Sequence, residues 1–360
     1  MAFFESERAF LNAYRQKLAL LLHERGSSAD FGLSAFILVC ANAYFDPEIL
    51  AELNNDLRKA FLGIREKYFR LFAEGHILSE RNAEDLLVFL KIALVGLEQL
   101  RVAEFKPLDE WTLQFNHIRS FRPQRSAAHT VASIDVPFNE NAFHYDAVLC
   151  QRESFWSGLL LDKQVSLLYN KYPFARLHAL MLPEPEKKLK QYLTREYHAW
   201  AWAVTQTLAQ ELPGFGMGFN SLGTFASVNH LHFQTFIQPR GMPVTNSVWK
   251  HNGGEKEYPL SCIVFDKWED GWHWMERIYR QNTTSFNLLY TPGKVYGFER
   301  KRQGTYRHAP WTSGFAFYEL SGNMITFSRE DYTALTHDQI EKEFKKLKPT
   351  QLKNGHSEKT

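Results

Sequence analysis

Leu50, Leu53, Leu57, Phe61, Ile64 and Tyr68 recur at three- and four-residue spacing, a period that gathers them on one face of an α-helix. Asp46-Pro47 stands just before them and supplies both an N-cap side chain and a proline at the first helical position. A further helix is expected over Leu86, Leu87, Leu90, Ala93, Leu94 and Leu97. Residues 1–105 therefore read as a helical N-terminal region without a chemical motif, suited to packing or oligomerisation.

From about residue 108 to 180 the pattern shortens to brief apolar runs separated by turn residues, as in Asp135-Val136-Pro137-Phe138-Asn139-Glu140-Asn141, and strands are expected to dominate. Gln164 to Pro173 reads as a strand ending in a polar turn, and His178 to Pro183 as its partner in a hairpin or meander. A long helix should follow, burying Leu189, Tyr192, Leu193, Tyr197, Trp200, Val204, Thr207 and Leu208 and ending at Pro213-Gly214, with a histidine-bearing strand directly after it. Leu260–Phe265, Ser285–Tyr290 and Val295–Phe298 are further strands, with a helix between the first two; this repeats the strand, helix, strand order and raises an internal duplication. Thr336-His337-Asp338-Gln339 is a capping box opening a last helix with Ile340, Phe344 and Leu347. The chain divides into residues 1–105, an α+β domain over 106–347 built on an antiparallel sheet with flanking helices, and a polar tail, 348–360, expected to be disordered.

With 360 residues, 44% of them hydrophobic, the chain can bury a large core in one big or two moderate domains. A net charge of +2 gives no broad basic field, which argues against sequence-independent nucleic-acid binding and leaves any anion binding to local clusters. Cys40, Cys150 and Cys262 are odd in number and far apart, as expected of free thiols in a reducing, cytoplasmic setting. Met1 to Glu5 lacks the basic start of a signal peptide. The run Phe31–Phe45 is interrupted by Gly32, Ser34 and Asn42 and is too short to span a bilayer, so no membrane partner is expected.

The chemistry concentrates in Asn220 to Gln234, read as a glycine-bearing loop entering a strand that carries His-x-His-x-Gln. On a strand His230, His232 and Gln234 share one face while Leu231 and Phe233 enter the core. Two imidazoles beside an amide suit nucleophilic catalysis at phosphorus. A metal site and histidines satisfied by core hydrogen bonds are the competing readings. Thr235, Phe236 and Ile237 offer no carboxylate and the chain has no CxxC, so no metal or other cofactor is expected. Arg119, Arg122 and Arg125, with Lys171, are the candidate phosphate partners, although each alone reads equally as a solvated side chain. Asn220, Ser221 and Gly223 could present backbone N–H groups to a phosphate, or simply build a turn.

These residues resemble the histidine-triad superfamily in its H-x-H-x-Q transferase branch. Tyr169-Asn170-Lys171-Tyr172-Pro173, His178 and Leu182-Pro183 are similar to its first strand pair, which implies a ribose contact from Asn170 and a place for His178 beside the active-site histidines. Gln114-Phe115-Asn116, Pro137 to Phe143, Asn220 to Gly223, Asn229 to Gln234, Ser285 to Leu289 and Glu319 to Asn323 resemble the GDP-L-galactose and GDP-glucose phosphorylase group in particular, over residues 110 to 345. The helical first hundred residues depart from that pattern. The resemblance implies a histidine-triad-like fold, and a nucleotidyl-histidine on His232 formed from a nucleoside diphosphate sugar, a GDP-hexose foremost. Inorganic phosphate (or a sugar phosphate) would be the second substrate, and a homodimer is an expected assembly. It implies that His230 orients the phosphate and His178 bonds nearby, while Gln234, unable to donate a proton as an imidazolium does, favours transfer over hydrolysis. Uridylyltransferases of the superfamily usually carry Pro where Leu231 stands. Dinucleoside polyphosphate phosphorylases or hydrolases, a nucleotide-sugar hydrolase and a non-catalytic nucleotide-binding scaffold remain the alternatives.

Overall fold

The computed structural model describes residues 4, 6–23, 29–76, 83–122, 130–145 and 151–350. Four helices come first: α1 (Glu7–His23), α2 (Ala29–Ala43), α3 (Pro47–Ala73) and α4 (Ala83–Val95). Asp46 caps α3 through Oδ1, which accepts the Glu48 and Ile49 N–H groups at 3.0 and 3.4 Å, and Ile49, Leu53, Leu57, Phe61 and Tyr68 are buried as the spacing requires. α2 is apolar around most of its circumference and sits at the centre of the block, packed by α1, α3 and α4.

The remaining elements follow in order: β1 (Glu104–Leu108), β2 (Trp111–Phe115), α5 (His117–Phe121), β3 (Ser154–Leu160), β4 (Lys163–Tyr169), β5 (Ala179–Pro183), α6 (Arg195–Glu211), β6 (Phe215–Asn220) and β7 (Phe233–Ile237). Then come β8 (Cys262–Phe265), α7 (Trp268–Gln281), β9 (Ser285–Thr291), β10 (Lys294–Arg300), α8 (Phe317–Leu320), β11 (Asn323–Thr326), α9 (Arg329–Ala334) and α10 (His337–Lys346). Eight strands form one antiparallel sheet in the order β3-β4-β5-β7-β6-β9-β10-β8. A small sheet, β1-β2-β11, joins residues far apart in sequence, with β11 parallel to β2. The fold is α+β. The hairpin β4-β5 and the capping box on Thr336 are as read from the sequence.

The order also bears on duplication. β5, α6, β6 and β7 run strand, helix, strand, strand, with β7 lying between β5 and β6; β8, α7, β9 and β10 repeat this with β10 between β8 and β9. The two units meet antiparallel through β6 and β9.

Each face of the large sheet carries its own core. One apolar cluster runs from Phe10 and Leu38 of the helical block through Met181, Phe219 and Phe233 to Val295, so the block and the sheet share a single interior. The opposite face packs Phe174, Phe236, Phe298 and Phe317 against Trp111, Trp249 and Phe344. Gly216 and Gly218 make this possible, because a Cβ at either would collide with the rings of Phe236 and Phe317 lying on the strand.

Several expectations need correction. α6 starts at Arg195, not near Leu189, because Thr194 Oγ1 caps it by accepting the Tyr197 N–H at 3.4 Å. Phe215-Gly216-Met217-Gly218-Phe219 forms a strand between the helix end at Pro213-Gly214 and the histidines, where none was expected. Residues 130–145 contain no strand and are held by side chains of neighbouring segments. Arg125, Cys150 and residues 351–360 of the tail lie outside the described residues.

His198 of α6 lies in the interior, where its Nε2–H donates to the Trp268 carbonyl at 2.9 Å and its Nδ1 accepts the Tyr290 hydroxyl at 2.6 Å. Burial pushes it down to about 4, and pushes His232 to the same range. The unfolded chain therefore takes up protons first as pH falls. Stability should be full above pH ~6.5 and should decline by roughly 1.4 kcal/mol per pH unit for each such histidine until about pH 4. Urea unfolding at pH 7, 6 and 5 measures this. At pH 7, Tyr290→Phe, which strips Nδ1 of its donor, should cost about 1–3 kcal/mol.

Candidate active site

β5 and β7 are hydrogen-bonded neighbours with Leu180 opposite Gln234, which brings His178, one residue ahead of β5, beside Gln234. His230 and His232 precede β7 rather than lying on it. The physical reason is that Leu231 N–H donates to the Leu189 carbonyl at 2.7 Å and His232 N–H to Gln191 Oε1 at 2.9 Å, so these backbone groups enter no sheet ladder before Phe233. Leu231 and Phe233 nonetheless enter the core as alternation requires.

Backbone groups fix the state of each imidazole. A carbonyl can only accept, so the 2.8 Å contact between His232 Nδ1 and the His230 carbonyl places the proton on Nδ1 and leaves Nε2 as a bare lone pair. Burial pushes His232 down to about 4, outweighing its bond to that carbonyl, so the ring is neutral at pH 7. His230 is the opposite tautomer: its Nδ1 accepts the Tyr145 N–H at 3.2 Å, leaving Nε2–H as a donor. His178 Nδ1 accepts the Phe174 N–H at 3.4 Å, and Nε2 then donates to Gln234 Oε1 at 3.1 Å, which leaves the Gln234 NH2 group as a donor. Burial first, and the charge of Arg119 second, hold His178 well below the ordinary histidine range.

Two groups the sequence did not flag complete the site. Gln191 is buried and binds both backbone groups of His232, accepting from N–H and donating Nε2–H to the carbonyl at 3.2 Å, with a second donation to the Asn220 carbonyl at 3.0 Å. Its own N–H donates to Asn229 Oδ1 at 2.9 Å. No local signal announces it, since its partners lie 29 to 41 residues away. Tyr145 closes the other side, its ring 6.1 Å from His230 at 26° and 5.0 Å from His232 at 68°. Asn229 Nδ2 anchors the segment that ends in Tyr145 by donating to the Val136 and Pro137 carbonyls at 3.1 and 2.8 Å. The resemblance at Pro137–Phe143 marked this stretch without giving it a place.

The other sequence-predicted residues separate into neighbours and braces. Asn170 adjoins His178, with Nδ2 3.4 Å from Nε2 and Oδ1 accepting the Tyr172 N–H at 2.9 Å. Arg119 donates to the Tyr172 carbonyl at 2.6 Å and lies over the Phe174 ring, a layer behind His178. Arg122 stacks on Tyr172. Lys171 points to the helical block, bonding Asp85 at 2.5 Å and Ser34 at 2.8 Å, which corrects its assignment to phosphate. Asn220 ends β6 instead of opening a loop, and its Oδ1 accepts from Asn287 Nδ2 at 2.6 Å and the Phe317 N–H at 2.9 Å. Ser221 Oγ accepts the Phe286 N–H at 3.0 Å. Gly223 holds φ +83°, and its carbonyl accepts the Gln303 N–H at 2.7 Å. These three brace the loop.

Among the described residues no group of three His, Cys, Asp or Glu side chains could hold a metal ion, and no helix is long and apolar enough to cross a membrane. A cavity of about 1480 Å³ opens between Pro47, Leu50, Phe105, Pro107 and the Gln238–Pro243 stretch, and its walls include none of the histidines or Gln234.

The geometry is therefore a neutral histidine of fixed tautomer flanked by a second histidine and a glutamine. The stretch that holds these groups, residues 110–236, matches the family described as GDPGP1-like, N-terminal domain. Over 128 residues the chain is 35% identical to GDP-D-glucose phosphorylase 1 of Homo sapiens, covering 34% of this chain and 33% of that protein. For GDP-D-glucose phosphorylase 1 of Danio rerio the identity is 31% over 124 residues, covering 34% and 36%. GDP-L-galactose phosphorylase 1 of Arabidopsis thaliana is 23% identical over 227 residues, covering 55% and 51%. The match thus spans about a third of the length of the vertebrate relatives and about half of the plant one. The solved structure of yeast Ap4A phosphorylase Apa2 aligns with 74% of this chain and 98% of its own at 16% identity, with a TM-score of 0.49.

If Gln191 sets the backbone of His232, Gln191→Leu should keep the fold yet leave two backbone groups of His232 unpaired, costing about 1–3 kcal/mol in urea unfolding. The nitrogen signals of the His232 ring should move in the same variant, and NMR of histidine-labelled protein checks this.

Proposed function

We propose that this chain is a nucleotidyltransferase working as a phosphorylase on a nucleoside diphosphate sugar, with a GDP-hexose as the preferred substrate. The observation that carries the reading is the His232 tautomer, because a buried neutral ring with its proton held on Nδ1 presents an unprotonated Nε2 nucleophile at pH 7. The similarity of residues 110–236 to the GDP-hexose phosphorylases supports the choice of substrate.

Nε2 attacks the α-phosphorus, the bond from that phosphorus to the bridging oxygen breaks, and sugar 1-phosphate leaves. The ring now carries positive charge, which the His230 carbonyl stabilises through the Nδ1–H bond. An oxygen of inorganic phosphate then attacks the same phosphorus, the P–N bond breaks, and nucleoside diphosphate departs with His232 neutral again. His230 Nε2–H and the Gln234 NH2 group are donors for the non-bridging oxygens, and Asn170 takes the ribose. Gln234 can neither take a proton from attacking water nor give one to a leaving group, which keeps the intermediate for phosphate. Residues 106–347 carry the catalysis, and the free thiols of Cys40 and Cys262 support a cytoplasmic setting.

The test is incubation of the protein with GDP-, ADP- and UDP-sugars and with dinucleoside polyphosphates, with and without phosphate. Expected are GDP and hexose 1-phosphate in its presence, and in its absence a protein heavier by one nucleotidyl group, a nucleoside monophosphate less one water. Turnover that is equally fast without phosphate would overturn the phosphorylase reading. His232→Ala should lose the adduct and roughly 10⁴-fold or more in turnover while nucleotide-sugar affinity stays within about tenfold. Gln234→His, which places a titratable donor at the phosphate, should raise the ratio of nucleoside monophosphate to diphosphate at fixed phosphate, a ratio read by chromatography.

A further inference from the structure

The helical block lies outside the matched residues 110–236, yet its polar groups converge on one short segment of the sheet domain, residues 169–178. Tyr169 Oη donates to the Tyr14 carbonyl of α1 at 2.5 Å. Asn42 of α2, itself buried, accepts the Tyr14 hydroxyl at 2.6 Å and donates Nδ2 to the Asn170 carbonyl at 3.0 Å. Lys171 is held by Asp85 of α4 and Ser34 of α2, and Arg176 by Asp46 and Glu7, each at 3.0 Å. Lys91 of α4 donates to the Phe121 carbonyl at 3.1 Å, anchoring the helix that carries Arg119.

That segment is the one that sets His178. Phe174 N–H fixes the His178 tautomer, Asn170 Nδ2 adjoins its Nε2, and through Nε2 the orientation of Gln234 follows. An interface that served packing alone would be apolar, whereas here two ion-paired cations and a fully bonded buried amide sit beside an apolar core already continuous across the same boundary. Holding a reacting group in place is worth this much polar contact, since small displacements of positioned groups lower rates steeply.

We propose that the helical block is part of the active-site machinery, with Asp85, Asn42 and Asp46 as positioning residues that clamp Asn170–Arg176 and thereby orient His178 and Gln234. The inference rests on the proposed function for its kinetic readout only. Asp85 is the residue to change, since it is partly exposed and Asp85→Asn is isosteric. Removing Lys171 would instead strand Asp85 beside Glu153, a buried carboxyl already pushed up to about 7.

In the full-length chain, Asp85→Asn is expected to lower kcat about tenfold with KM within about threefold of wild type, and to shift the His178 ring signals in NMR of histidine-labelled protein. The charge swap Asp85→Lys with Lys171→Asp should restore both. Glu66→Gln, which breaks an exposed pair with Arg70 on α3, should change neither. Unchanged His178 signals and unchanged kcat in Asp85→Asn, whether or not the urea midpoint moves, would overturn the clamp. Were the wild-type protein to turn over no nucleotide sugar, the proposed function would fail, and the His178 signals would still decide the clamp.

Discussion

The hydrogen bond from His232 Nδ1 to the His230 carbonyl is the constraint on which the site turns, because a ring bonded to its own backbone two residues away cannot rotate or exchange tautomers freely. Everything around it preserves that state. Gln191 holds the peptide groups of His232, the Tyr145 ring meets the imidazole edge-on, and the core on Leu231 and Phe233 keeps the chain from slipping. Burial does most of the remaining electrostatic part by making the charged ring unfavourable, and the nearby His230 lowers the basicity further.

Such burial has a structural condition. A polar group removed from water destabilises a fold unless it is hydrogen-bonded. The described histidines of the interior meet this condition with backbone or neutral partners: His178 with Phe174 and Gln234, His198 with Tyr290 and Trp268, His232 with His230. The sheet supplies the rigidity, since both of its faces are covered by aromatic cores and its glycines let those rings lie against the strands. The loop between β4 and β5 carries Lys171 and Arg176 to the helical block, whose ionic contacts join the histidine cluster to a part of the chain that shares its interior.

What the sequence made legible was local. α3 could be read because its cap and its apolar face are consecutive in the chain, and the capping box on Thr336 for the same reason. The gathering of His178, His230, His232 and Gln234 was also legible, through alternation and a resemblance. The start of β7 was not, because it depends on Gln191, which takes the backbone groups of His232 from a distant segment. Lys171 looked like a phosphate ligand only because Asp85, its partner, is 86 residues away. β6 was not expected, and its glycines serve ring packing.

The repeated order of β5-α6-β6-β7 and β8-α7-β9-β10 has an implication for stoichiometry and inheritance. Two equal units joined edge to edge through β6 and β9 would present two sets of catalytic groups, but the sequence holds His-x-His once, so the pair of units carries one such site. The second unit is then released from chemical constraint. Its strand β9 is free to be almost wholly buried and to serve as the wall on which Asn220 and Ser221 are braced, through Asn287 and Phe286. A lineage that began with two equivalent halves would in this way have exchanged a second active site for a stiffer first one.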